Sequence, residues 1–306
     1  MHHTTLISAD ELATALRSAK PPVVLDCSSD TSDPGIGRRA YDAGHIPSAH
    51  HVHMGHTLSG PRTGDNGRNP LPDPLMFTQA MSALGIGTDT QVIACDNSGG
   101  LYAARLWWML RWIGHEAVAV LDGGLGAWKA AGLPMSLARP PEEARTAARK
   151  GEGIPLTAEA PPRPTPAPLK ARPSLSKVVG YETLRANIDE PRWLVLDARG
   201  ADRFRGENET LDPQGGHIPG ARNRPFRDNL QADGRFKPAA MLRAEFEVLL
   251  DGRPPEAVVN QCGSGVSACH NLLAMEVAGL GGAALYPGSW SEWCARPDAP
   301  IATGAN

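Results

Sequence analysis

The amino-acid sequence predicts an α/β fold in two copies, each a mostly parallel sheet with helices on both faces. Three observations carry this. Short β-branched apolar runs alternate with helical patterns, as in strands covered on both faces. Four segments of the first half recur in the second half in the same order. A proline-rich stretch poor in large apolar residues separates the halves. A length of 306 residues fits two domains of about 100–200 residues each. The expected limits are a first domain at 1–137, a linker at 138–175 and a second domain at 176–306.

The elements follow in order. Ser8-Ala9-Asp10-Glu11 has the pattern of a capping box and predicts a helix over the segment ELATALRSA. Val23–Leu25, Val92–Ala94 and Val118–Val120 read as buried strands, being short, apolar and followed by turn residues. Leu194–Leu196 and Val258–Val259 match the first two in the second half. The stretches 101–113 and 266–278 read as helices that follow matched strands. AGHIPSAH (43–50) recurs as GGHIPGAR (215–222), and LDGGLGAW (121–128) recurs as YPGSWSEW (286–293). Asp26 to Asp96 spans 70 residues and Asp197 to Cys262 spans 65. Asp96 therefore stands where the second copy has Cys262.

Composition excludes several classes. Thirty Lys plus Arg against 33 Asp plus Glu leave a net charge of −3, without the basic footprint of a nucleic-acid binder. No apolar run approaches the roughly 20 residues of a membrane helix, and no signal peptide is visible. Five cysteines, an odd number in a long chain, argue for free thiols in a reducing compartment, so a cytoplasmic location is expected.

Ligands of open α/β sheets bind beyond the carboxyl ends of strands. There the second copy reads Val258-Val259-Asn260-Gln261 and then Cys262-Gly263-Ser264-Gly265-Val266-Ser267, with a helix starting at the end of this loop. Two glycines let the backbone curl with its N–H groups inward, and the helix N-terminus adds partial positive charge. A thiol at the centre of such a cradle is expected to act as a thiolate nucleophile in an anion-binding pocket. The bland alternative, a small buried cysteine at a tight turn, fits a lone Cys beside Gly better than it fits this strand–loop–helix context.

These residues resemble the tandem rhodanese-type sulfurtransferases. The resemblance rests on the duplicated HIPSA and HIPGA motifs, LYAARLWWML, LDGGLGAW, ARGADRFRG, CGSGVSAC and PGSWSEW, and spans the chain apart from the linker. It implies a catalytic Cys262 in the second copy and a first copy without a nucleophile. It also implies a two-step reaction. Cys262 takes sulfur from a donor as a persulfide, held by the amides of Gly263, Ser264, Gly265, Val266 and Ser267, and an acceptor then removes it. No metal and no cofactor are needed.

The expected partners are a small anionic sulfur donor and an acceptor such as thioredoxin, a low-molecular-weight thiol or cyanide. No nucleic acid and no membrane are expected. The loop lacks the cations of thiosulfate-preferring members and is similar to the Cys-Gly-Ser-Gly-Val-Thr of mercaptopyruvate-preferring ones. 3-Mercaptopyruvate is the expected donor and thiosulfate the alternative. A non-catalytic binding module is the weaker third reading, since Cys262 is present. Arg203 matches the arginine that binds the donor's anionic end, with Arg199 and Arg205 as weaker candidates.

Two departures stand out. Asp212 occupies the position of a second donor-binding arginine, a place Arg205 or another residue would have to fill. In an Asp–His–Ser relay near the cysteine, Ser264 matches the serine, while His53 and Asn69 stand at the other two places. Arg68, in NGRNPLP, is a further candidate to face the site across the domain interface.

The remaining features take plainer readings. A tyrosine-phosphatase loop needs Arg six residues after its Cys, where this chain has Ala268, so phosphatase activity is not expected. His50, His51, His53 and His56 read as solvated loop residues rather than a metal site. His45 and His217 recur at matched positions and read as structural. Cys269, Cys27 and Cys95 read as packing residues, and Cys294 as the more exposed thiol. Trp107, Trp108 and Trp112 read as core or domain-interface residues.

Overall fold

The computed structural model describes residues 2–30, 33–137, 169–170 and 172–305. Each half forms a five-stranded sheet whose pairings are all parallel. The first has the order β1-β5-β4-β2-β3, with β1 Leu6–Ile7, β2 Val23–Asp26, β3 His50–His51, β4 Val92–Cys95 and β5 Val118–Leu121. The second has the order β6-β10-β9-β7-β8, with β6 Lys177–Val178, β7 Leu194–Asp197, β8 Arg222–Asn223, β9 Val258–Gln261 and β10 Ala284–Leu285. Adding five to each strand number converts one order into the other, so the sequence duplication is a duplication of topology.

The central strands β2, β4, β5, β7 and β9 are buried at every residue. That explains their continuous apolar runs, since both faces are covered. The predicted capping box is present: the Ser8 hydroxyl accepts from the Glu11 amide, and the Glu11 carboxylate accepts from the Ser8 amide at 2.9 Å. His45 and His217 are structural in matching ways. Each Nδ1 contacts a backbone carbonyl at 2.8 Å, that of Tyr41 or Phe204, and each ring stacks on the same residue's ring, at 3.9 and 3.8 Å. Each backbone also forms an antiparallel bridge, to Ser136 or Ala302.

The halves share one core. The helices Ala103–Trp112 and Ser267–Val277 pack on each other, and a single apolar cluster runs from β2 and β4 through them to β7 and β9. Trp107, Trp108 and Trp112 lie in or against that cluster. A smaller cluster covers the outer face of each sheet. Most of the expected linker, 138–168 and residue 171, lies outside the described residues. Its last part packs on the first half: Leu169 is buried, and the Arg172 and Leu175 amides donate to the carbonyls of Ile113 and Arg111. No helix among the described residues is long and apolar enough to cross a membrane.

Candidate active site at the Cys262 loop

Strand β9 ends at Gln261, and residues 262–266 form the turn into the helix Ser267–Val277. Gly265 has φ +77°, and a Cβ there would lie 2.4 Å from the Pro287 carbonyl oxygen, so only glycine fits without movement. The segment after β10 grips the loop from the side. The amides of Trp290 and Ser291 donate to the carbonyls of Cys262 and Gly263 at 2.9 and 3.0 Å, and the Ser289 hydroxyl accepts from the Cys262 amide at 3.2 Å. The carbonyls are thereby turned away, while none of the amides of Gly263 to Ser267 donates to an acceptor among the described residues. Cys262 itself is 2% exposed.

The first copy shows how such a loop treats an anion. Asp96 sits at the matching strand end, and its own carboxylate fills the cradle. Its Oδ1 accepts from the amides of Ser98 and Gly100 at 2.8 and 2.9 Å, and its Oδ2 from those of Tyr102 and Ala103 at 2.8 and 2.9 Å. The scaffolding is preserved as well: the Leu125 amide donates to the Asp96 carbonyl at 2.9 Å, as Trp290 does to Cys262.

Three arginines converge near Cys262. A Cβ built on Gly263 would lie 3.0 Å from Arg68 Nη2 and 3.5 Å from Arg203 Nη2, so both guanidiniums cover this residue. Arg68 comes from the first half. Its segment lies close against the second, with the Arg68 amide donating to Ser291 Oγ at 3.0 Å and no room for a Cβ at Gly67, 2.6 Å from the Gly288 carbonyl. Arg203 donates through Nε and Nη2 to Glu209 at 2.9 Å each, and through Nη2 to Asp212 at 3.3 Å. Arg68 Nη1 is also bonded to Asp212. Arg199 is buried, pairs with Asp197 at 2.6 Å and lies over the Trp290 ring. Arg205 pairs with Glu207. The guanidinium that accompanies Arg203 is thus that of Arg68, and Asp212 is its ion-pair partner.

The relay takes a different form from the expected one. Asn69 Nδ2 donates to Ser264 Oγ at 2.9 Å, and Ser59 Oγ donates to Asn69 Oδ1 at 3.4 Å. His53 instead contacts the Pro34 carbonyl and accepts from the Gly55 amide, and burial with neighbouring His56 lowers its pKa. An amide at Asn69 orients Ser264 but carries no exchangeable charge.

Arg105 is a further residue of this site, not singled out by the sequence motifs. This guanidinium is fully buried on the Ala103–Trp112 helix of the first half. It donates to the carbonyls of Gly265 at 3.0 Å, Asn69 at 3.1 Å and Leu58 at 3.3 Å, tying the Cys262 loop to the first half. Its signal was a single cation inside the apolar run LYAARLWWML. Its pKa is lowered by burial, against the opposing influence of the neighbouring Cys269 and Cys262 thiols.

The other thiols are packed. Cys27, Cys95 and Cys269 are fully buried, and burial raises all three, Cys269 to about 12. Cys294, expected to be more exposed, is buried at 5% because the Trp290–Trp293 turn folds it into the outer cluster, and burial raises it to about 11. Among the described residues, no group of three or more His, Cys, Asp or Glu is arranged to hold a metal ion.

A doubled parallel sheet with a strand–loop–helix cysteine in its second copy defines the class, and comparison with known proteins agrees. The rhodanese-like domain family matches residues 8–131 and 181–296. The chain is 42% identical to a probable 3-mercaptopyruvate sulfurtransferase of Pseudomonas aeruginosa, covering 99% of this chain and all of that one. It is 34% identical to the thiosulfate sulfurtransferase of Mus musculus, over 99% and 96%. The solved 3-mercaptopyruvate sulfurtransferase of Leishmania major superposes with a TM-score of 0.74 at 29% identity, covering 95% of this chain and 74% of that one. The chain belongs to the rhodanese-like family, with its domain in two copies, and is an enzyme of the sulfurtransferase class.

Proposed function

We propose that the chain moves sulfane sulfur from 3-mercaptopyruvate to a thiol or to cyanide through a persulfide on Cys262. The carrying observation is the pair of guanidiniums, Arg203 and Arg68, over Gly263 beside the Cys262 thiol. A guanidinium grips a carboxylate through two parallel hydrogen bonds. In this reading the two arginines hold the donor's carboxylate with its sulfur above Cys262.

The Cys262 thiolate attacks that sulfur, forming an S–S bond and breaking the donor's C–S bond. The electron pair leaves on carbon as the enolate of pyruvate, which takes up the donor's thiol proton. The amides of Gly263, Ser264, Gly265, Val266 and Ser267 receive the outer sulfur and its charge, as the first-copy loop receives the Asp96 carboxylate. An acceptor thiolate then attacks the outer sulfur and releases the Cys262 thiolate. Thioredoxin, a low-molecular-weight thiol and cyanide all fit this second step. Five free thiols fit a reducing compartment such as the cytoplasm. The proline-rich 138–175 stretch is the proposed boundary between the domains.

Thiosulfate is the second reading, because a relative at 34% identity carries that name. A cation-free loop favours the monocarboxylate. The test offers each donor at equal concentration with cyanide and follows thiocyanate, with Cys262→Ser as control and mass spectrometry for one added sulfur on Cys262. Activity surviving in Cys262→Ser overturns the nucleophile. A thiosulfate advantage of about tenfold or more, some 1.4 kcal/mol of transition-state preference, overturns the donor.

A further inference from the structure

The corner that faces Cys262 contains two carboxylates as well as its arginines. Glu209 and Asp212 keep only 5% and 3% of their side-chain surface exposed. Glu209 takes two hydrogen bonds from Arg203, lies 3.7 Å from Arg199, and accepts from the amides of Leu211 and Asp212. Asp212 bridges Arg203 and Arg68. Arg199 is already matched by Asp197. Three guanidiniums and three carboxylates leave the cluster with no net formal charge.

The two acids differ. Glu209 is anchored by backbone amides, and those bonds, with Arg203, hold its pKa low despite burial. Asp212 is drawn upward by burial against the pull of Arg68. Its carboxylate is shared between the two guanidiniums that cover Gly263, the ones available to an incoming anion.

We propose that Asp212 is the specificity-determining residue of the donor site, selecting singly charged over doubly charged sulfur donors. This rests on the donor reading above. A fixed negative charge repels a dianion about twice as strongly as a monoanion at the same distance. With the cluster already neutral, the Asp212 charge opposes every incoming anion at Arg68 and Arg203, a dianion more than a monoanion. Neutralising it relieves the dianion more than the monoanion.

Two ratios test this in the full chain with Asp212→Asn, which keeps the side chain's shape and one acceptor oxygen, and with Asp212→Glu, which keeps the charge. The first ratio is kcat/KM for thiosulfate over that for 3-mercaptopyruvate. The second compares Cys262 alkylation rates with anionic iodoacetate and neutral iodoacetamide, read by mass spectrometry. It needs no turnover, and any change in thiol ionisation cancels. Asp212→Asn is expected to raise the kinetic ratio about tenfold and the alkylation ratio about threefold, with Asp212→Glu near wild type. An alkylation ratio within about twofold of wild type in folded Asp212→Asn overturns the proposal. A raised alkylation ratio in a protein whose wild type turns over neither donor supports the charge-selecting role and overturns the donor reading.

Discussion

Replacing Arg105 with methionine tests whether the first half supports the reactive loop of the second. Methionine has nearly the length of the arginine stem and no donor. The carbonyls of Gly265, Asn69 and Leu58 each lose a hydrogen bond of 3.0–3.3 Å in a site without exposure. An unsatisfied buried polar group costs about 1–3 kcal/mol, which falls on Asn69 and Leu58, while Gly265, which keeps the Cys269 thiol at 3.4 Å, loses about 1 kcal/mol. Removing a guanidinium also removes its own desolvation penalty, several kcal/mol for a buried ion with no carboxylate partner among the described residues. The expected net loss is about 2–5 kcal/mol, read as a lowered urea midpoint by circular dichroism. Arg105→Lys, which keeps the charge but not the fork, is expected to recover part of it. Sulfur transfer should fall along with stability, because the Gly265 carbonyl loses its anchor. An Arg105→Met protein within about 0.5 kcal/mol of wild type, the range of an ordinary surface substitution, would refute the reasoning.

Two more substitutions probe the pseudo-symmetry. Asp26 is fully buried, its Oδ2 has no hydrogen-bond partner among the described residues and burial raises its pKa, whereas its counterpart Asp197 is paired with Arg199. A raised folded pKa means the folded state holds the proton more tightly, so the cost of ionising Asp26 appears as pH rises through the ordinary carboxylate range. Asp26→Asn is expected to stabilise by about 1–2 kcal/mol at neutral pH and to lose that advantage below the ordinary aspartate pKa of 3.8; equal melting curves at pH 7 would refute it. Gly265→Ala adds a methyl 2.4 Å from the Pro287 carbonyl at φ +77°, and is expected to cost about 2–4 kcal/mol and most sulfur transfer; a fully active variant would show that the turn has room to relax.

The legible part of the fold was the part written in local periodicity. Val23-Val24-Leu25 and Val258-Val259 announce buried parallel strands because no polar residue interrupts them, and Ser8 with Glu11 announces a cap. Within the candidate site, the turn at Cys262 was legible from its glycine spacing, and Arg203 was singled out by its motif. Contacts between halves were much harder to read. Arg105 lies 160 residues from Gly265 and Arg68 lies 144 from Asp212, so no local pattern joins them. Cys294 misled because charged sequence neighbours say little about a five-residue helix that turns its tryptophans inward.

Asp96 has a consequence for how the two halves share work. Four backbone amides close on a ligand that belongs to the chain and never leaves. In the proposed cycle that loop has no anion to take up or release, whatever is bound at Cys262. Because its helix packs on the one behind Cys262, that constancy passes into the shared core. On the proposed mechanism one half of the molecule serves as a fixed jig, and the other exchanges its anion against that support.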